Sequence, residues 1–439
     1  MTIQQKHTDT EFFLKKFDSF HGTGNGLLSG IRKEAITSFS SLGFPTTKHE
    51  EWKYTNIASV VKSDYISPAP LPALTESDIK SFYLAGEDSI RLVFVNGHFS
   101  AALSSGLRLP DGLVIGNIAA HNGHQAVKEH LAKHASFANS SFVALNTAFV
   151  DEGAFIYLPD NLVEERTIHL MYVHDTRSAA VVMYPRNLIV AGKNSKGKVV
   201  ESYHSIGEVN TGFCNTVTEI VVGDNASVEF NKIQCEHGST NHISHTEVIQ
   251  SQNSRFNICT VTLGGNIVRN NLHIRLNGQH CETHLYGLYI TQQNQLVDNH
   301  TLVDHAKPNC MSNEIYKGIL DDHSLGVFNG KVMVRQDAQK TNAYQSNKNI
   351  LLCDDAAINT KPQLEIFADD VKCSHGATTG KLDEDALFYL RSRGIGEKEA
   401  KAFLNVAFAA DVINNITIES LKEQLMQLIE QRLQKIPIK

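Results

Sequence analysis

The chain has 439 residues, of which 41% are hydrophobic and 20% charged, with a formal net charge of −7. This is the composition of a globular protein long enough for a large core and two or three domains, and it excludes a disordered or collagen-like chain. Acids and bases are interspersed, and the negative balance argues against a protein whose main work is gripping nucleic-acid backbone.

The opening "MTIQQKHTDTEFFLKKF" lacks the apolar stretch of a signal peptide, and no later run is long enough to cross a bilayer. The expectation is a soluble, cytoplasmic protein without a membrane partner. Residues 1 to about 60 read as helical, with Leu28, Ile31, Ala35 and Phe39 marking one face at steps of three and four. Within them "GTGNG" (Gly22 to Gly26) is followed by no Lys-Ser/Thr, so it reads as an interhelical turn rather than a phosphate loop. "GFPTTKHEEWKYT" is a turn leading into a charged segment that holds the single tryptophan, Trp52. "SPAPLPAL" (Ser67 to Leu74) is a Pro-rich linker, and "HQAVKEHLAKHASF" (His124 to Phe137) is a second short helical pattern.

From about Leu92, and without interruption from Phe142 to Phe367, the chain becomes a succession of β-prone runs punctuated by Gly, Asn and Asp. Val268, Leu272, Ile274 and Leu276 lie on one parity with Asn and Arg between them. Strands recurring roughly every 10–14 residues indicate all-β structure rather than βαβ units. No strict repeat is visible, so a sandwich, a barrel and a solenoid all remain open. The chain then ends helical. Asp383 is an N-cap followed by Glu384 and Asp385, Arg391 and Arg393 precede Gly394, and Leu421, Leu425, Leu428 and Ile429 share one side of the last helix.

Several constellations are candidates for chemistry. Cys373 and His375, two residues apart in a final strand "FADDVKCSH", would project from one face, and thiolate with imidazole suits zinc or iron. Two ligands cannot close a tetrahedral site. The pair is therefore either half of a shared site or a buried cysteine beside a strand-end histidine. "CEHGSTNHISH" offers Cys235, His237, His242 and His245, but at no finger or ribbon spacing, and reads as a β turn with exposed histidines. The 21 histidines, many between His237 and His323, read mostly as strand-surface residues. The seven cysteines (214, 235, 259, 281, 310, 353 and 373) are scattered without a CxxC, which points to reduced thiols. "YLRSRGIGEKEAKAF" has the outline of a helix-hairpin-helix around Gly394 and Gly396, yet Glu397 and Glu399 oppose a phosphate. A plain helix-helix connection is the stronger reading, with no nucleic-acid partner. Asp298, Asp304, Asp321 and Asp322 would suit a solenoid carbohydrate-active enzyme, but a chain with one tryptophan and no export signal fits that poorly, and no catalytic motif is convincing. A non-enzymatic protein is expected.

Two terminal blocks decide more than any single motif. "GFPTTKHEEWKYTN" near the start and "DDVKCSHGATTGKLDEDALFYLRSRGI" near the end resemble signatures of the SufB/SufD family of the SUF iron–sulfur cluster assembly machinery. Gly376, where the SufB branch usually carries Glu, and the early block place the resemblance with the SufD branch; a SufB-like scaffold is the alternative. The resemblance implies a mainly β fold, a right-handed parallel β-helix core flanked by N- and C-terminal helical domains. It implies a division into residues 1–90 (helical domain and linker), 91–370 (β-helix, with the helical excursion near 124–137) and 371–439 (C-terminal helices). It further implies a scaffold subunit of a SufBC2D complex that pairs with SufB through the β-helices and docks the ATPase SufC on the C-terminal helices from about Asp383 to Ile413. A homodimer is one form open to the chain in isolation. On this resemblance His375 is a ligand to iron or nascent cluster shared with SufB, Cys373 stands beside it, no cofactor is intrinsic, and flavin belongs to the whole complex.

Overall fold

The computed structural model describes residues 3–20, 27–62, 65–66, 74–84, 86, 88–207 and 211–435. The Gly22–Gly26 turn and residues 67–73 of the Pro-rich linker lie outside the described residues. Two helices, α1 (Ile3–Asp18) and α2 (Leu27–Leu42), lead the chain. Leu28, Ala35 and Phe39 are buried and Ile31 half-buried, as the spacing predicts. A 3-10 turn (Glu50–Trp52) and two single-turn helices, α3 (Ala58–Val61) and α4 (Glu76–Ile79), follow.

The body is a parallel β-solenoid of about seven turns. Its near end is closed by antiparallel pairing of β1 (Ile90–Val95) with β2 (His98–Ser105) and of β3 (Val114–Asn117) with β4 (Ala154–Leu158). Between β3 and β4 stand α5 (Gln125–His130) and α6 (Ser141–Ala148). Then come β5 (Val163–Asp175), β6 (Val181–Met183), β7 (Arg186–Ala191), β8 (Lys196–Ile206), β9 (Gly212–Val222), β10 (Ser227–Cys235), β11 (Thr240–Gln250) and β12 (Arg255–Thr262). The stack continues through β13 (Ile267–Leu276), β14 (Glu282–Thr291), β15 (Leu296–His305), β16 (Met311–Leu320), β17 (Leu325–Val334), β18 (Asn342–Leu351), β19 (Ala357–Ile366) and β20 (Lys372–Gly380). One sheet runs β2-β1-β5-β8-β10-β12-β14-β16-β18-β20, and the other β19-β17-β15-β13-β11-β9-β7-β4-β3. Three helices finish the chain: α7 (Glu384–Ser392), α8 (Glu397–Ile413) and α9 (Glu419–Lys435).

Register explains why no repeat could be read. Asn231 faces Cys259, which faces Tyr286, then Ile315, Ser346 and Gly376, at steps of 28, 27, 29, 31 and 30 residues. Each turn is one supersecondary unit stacked on the last, but corners of unequal length destroy the sequence period. The corners nonetheless share chemistry. Asn161, Asn194, Asn225 and Asn253 all take positive φ, between 55° and 65°. Their amides form a ladder at 2.8, 3.0 and 3.1 Å from each asparagine to the one a turn before. Asparagine tolerates the left-handed region and can bond its neighbours there.

Alternation places the core. Val268, Leu272, Ile274 and Leu276 are all buried, and the last three join a column of inward residues with Phe230, Phe256, Ile258 and Leu285. Outside the first sheet, α8 and α9 bury Val412, Leu421, Leu425 and Ile429 against Val200, Ile233, Val261, Leu288 and Ile319. Leu428 departs from its predicted face and is 37% exposed. Outside the second sheet, Phe13, Phe39 and Phe142 pack toward Phe213. Among the described residues no helix is long and apolar enough to cross a membrane.

One local expectation fails. The stretch from Phe142 does not start as strand: α6 is helical and every residue from Phe142 to Ala148 is buried. A helix enclosed on all sides has no polar face, so it carries no 3.6-residue signal for the sequence to display.

Candidate functional site

The far end of the solenoid is open. β19 and β20 are the terminal strands of their sheets, and among the described residues nothing pairs with their outer edges. Ten- and nine-residue edges of this kind present rows of backbone donors and acceptors to any strand that approaches. Cys373 and His375 lie on β20, two apart and hence on one face, as the sequence predicts; the strand itself begins at Lys372 rather than at Phe367. Cys373 is in register with Ala343 and His375 with Gln345, both buried, so the two project on the inward parity at the mouth of the stack. Cys373 is half-buried against Val332, Val334 and Ala368, and burial raises its thiol above the ordinary range. His375 is exposed, and Gly376 beside it has open space around its Cα. Two donors of different softness thus share the inward parity of an uncapped rim, the imidazole exposed and the thiol half-buried.

Beneath His375 the inward column stays polar for two further turns. Gln345 donates from Nε2 to Glu314 Oε2 at 2.8 Å, and both are buried. Burial raises the Glu314 carboxyl to about 7, with no cation to oppose it. Below Glu314 the column turns apolar at Leu285 and Ile258.

The second candidate set does not come together. Cys235 packs on the outer face under the C-terminal helices, while His242 points inward and His245 outward on β11. The reading of exposed histidines is corrected by His242 and His245, both buried, with His242 Nδ1 2.7 Å from Glu236 Oε2. His174 approaches the other oxygen of Glu236 at 3.3 Å. Burial opposes ionisation of Glu236, but the two imidazoles hold its carboxyl down at about 2. His169, His204 and His305 are buried too. Strand-surface placement therefore fails for much of the histidine set, because the solenoid interior alternates apolar with hydrogen-bonded polar columns that composition cannot separate from surface. Cys214 lies near Glu236 and His242, but burial holds its thiol well above the ordinary range.

Two of the four acids considered for catalysis are tied to arginine. Asp298 accepts from Arg269 at 2.6 Å and contacts His300 at 2.9 Å, and Asp304 is bidentate with Arg335 at 2.8 and 2.6 Å. Glycosidic cleavage requires two facing carboxylates across a substrate cleft; Asp298 and Asp304 are each neutralised by arginine, and Asp322 accepts from the Gln293 amide at 3.0 Å.

Beyond the rim, Asp383 caps α7 as predicted, its carboxylate accepting from the amides of Asp385 and Ala386 at 2.9 and 3.0 Å. Gly394 takes φ +89° and turns the chain into α8, which makes the Gly-Ile-Gly a helix-helix connection. α7 has no buried residue, and Phe388, Tyr389 and Phe403 are 75%, 57% and 57% exposed. Phe388 and Phe403 border a cavity of about 1120 Å³ whose lining also includes Leu352 and Leu387. Large aromatic groups left in the open are the kind of feature that interaction surfaces carry.

Comparison with known proteins accounts for this architecture. The family described as "SUF system FeS cluster assembly, SufBD core domain" matches residues 173–408, and "SufBD protein N-terminal region" matches residues 2–170. An iron–sulfur cluster assembly SufBD family protein of Synechocystis is 34% identical over 98% of this chain and 97% of its own. The iron–sulfur cluster assembly protein SufD of Escherichia coli is 30% identical over 89% of this chain and 90% of its own. SufD of Bacillus subtilis is 27% identical over 98% of this chain and 100% of its own. With both halves of the chain matched and the solenoid spanning the core match, the protein belongs to the SufBD family of iron–sulfur cluster assembly proteins.

Proposed function

We propose that this chain is a SufD-type scaffold subunit in the cytoplasm, which pairs with SufB at the open end of the solenoid and carries the ATPase SufC on α7 and α8. The observation that supports this most is the rim itself: an uncapped pair of edge strands bearing His375 and Cys373 on the inward parity. A second solenoid abutting that rim would satisfy the backbone of β19 and β20 and bring its own ligands to face His375. Iron or a nascent cluster is then cargo held between subunits, with His375 the principal ligand from this side and Cys373 the lesser, since its thiol is half-buried and hard to ionise. An exposed imidazole needs no such proton loss to bind a borderline metal. The exposed aromatic groups of α7 and α8 supply anchors for the ATPase, a few residues past the strand that holds the ligands. Movement of those helices is thereby coupled to the rim through the short segment between Gly380 and Asp383. No catalytic step falls to this chain, and flavin, if used, belongs to the assembled complex.

The test is co-expression with SufB and SufC, followed by iron and sulfide analysis of the purified complex carrying His375→Ala. A complex that assembles normally but carries much less iron and sulfide is expected. Wild-type cluster content in that variant would overturn the ligand role, and failure of the unaltered chain to assemble would overturn the pairing.

A further inference from the structure

A cluster on the outer face of the second sheet plays no part in the rim. His245 and Glu247 stand two apart on β11 and project from one face, and Glu247 is in register with His273 on β13. Glu247 Oε2 lies 2.9 Å from His245 Nε2 and 3.4 Å from His273 Nδ1. One donor atom from each of the three falls within 4.8 Å of the others. Bonds of ~2.0–2.1 Å to a tetrahedral ion place neighbouring donors ~3.3 Å apart, so both spacings to Glu247 are close to those of adjacent corners of a coordination sphere. The imidazole rings meet edge to face at 4.7 Å and 79° and do not stack.

The geometry points to a divalent first-row cation site, of the zinc or iron(II) class, held by His245, Glu247 and His273 on the outside of the solenoid. Two neutral imidazoles and one carboxylate are a donor set that such ions share. Arg186, whose charge is felt by His245, is already paired with Glu219 at 2.7 Å. His245 and His273 also line a cavity of about 290 Å³ under Trp52 and Phe142, so the fourth position opens onto space sufficient for water or a small ligand. Both strands lie mid-stack with neighbours on each side, and a site built on such rigid elements is preorganised.

Cobalt(II) is the probe, because its visible spectrum reports both geometry and donor type. The full-length protein, stripped with chelator and titrated anaerobically, is expected to bind Co²⁺ with visible absorption but without the intense near-ultraviolet band of a thiolate ligand. That spectrum separates this site from any containing Cys214 or Cys373. Glu247→Gln and His273→Asn should each weaken binding at this site by ~10-fold or more, whereas His375→Ala should leave it intact. Far-ultraviolet circular dichroism checks that the variants fold, and His245→Asn serves if either does not. Binding that shows thiolate absorption and is indifferent to Glu247 and His273 would overturn the assignment, as would the absence of any binding at millimolar Co²⁺.

Discussion

Replacing Glu314 with glutamine should stabilise the protein at pH 8 and leave it nearly unchanged at pH 5. The carboxyl sits inside the solenoid with only the neutral donors Thr301 and Gln345 beside it, and burial lifts it from the ordinary 4.5 to about 7. Below pH 4.5 it is protonated whether the chain is folded or not, and the group costs nothing. Between 4.5 and about 7 only the unfolded chain releases the proton, so stability falls as pH rises. Above pH 7 the accumulated loss is ~3 kcal/mol, at about 1.4 kcal/mol per pH unit. Glutamine removes that loss and keeps an oxygen for Gln345, but its own amide hydrogens lack a partner, which costs about 1 kcal/mol. The net expectation at pH 8 is a gain of ~2 kcal/mol, read as a higher thermal midpoint than wild type in the same buffer. Comparing the two proteins at each pH cancels the titration of every other group. If the difference between them were the same at pH 5 and pH 8, Glu314 would not be a buried neutral acid and the account of the inward column would be wrong.

Arg269→Ala should cost ~3–5 kcal/mol, because it strands the buried Asp298 and removes a guanidinium 3.9 Å from the Trp52 ring and 2.6 Å from the Glu51 carbonyl; limited proteolysis should then cut first near Glu50–Trp52. Asn225→Ala should lose about 2 kcal/mol through the ladder amides and the positive φ, and Asn225→Gly should recover roughly half of that in denaturant midpoints. Phe388→Ala and Phe403→Ala should change stability by less than ~0.5 kcal/mol, since both rings are in solvent, yet reduce the SufC that co-purifies. An unchanged SufC yield would move the docking surface elsewhere.

Much of this was legible from residue order. The face of α2, the cap at Asp383, the left-handed turn at Gly394 and the shared parity of Cys373 and His375 all follow from local rules that the structure obeys. What was hidden is physical in origin. α6 is buried all round, so it has no amphipathic stripe. Corners of unequal length conceal a stack that is regular in space. The histidines are the sharpest case: His242 and His245 are three residues apart in one polar run, yet one lies inside against Glu236 and the other outside against Glu247. Strand parity separates them, but a solenoid interior that accepts polar columns offers no compositional sign of which parity is in.

The C-terminal helices have a mechanical consequence. Their apolar side lies across β8, β10, β12, β14 and β16, five successive rungs of one sheet, with Lys317 of β16 pinned to Asp411 at 2.5 Å. They act as a batten nailed across stacked planks, and the batten stops short: β18 and β20 lie beyond most of its grip. Thermal fraying should begin in those two unbraced rungs while the rest of the stack stays stiff. Compliance is thus confined to the open end of the stack, where the proposed partner would abut, and a pull on the batten reaches it as a hinge rather than as a general loosening.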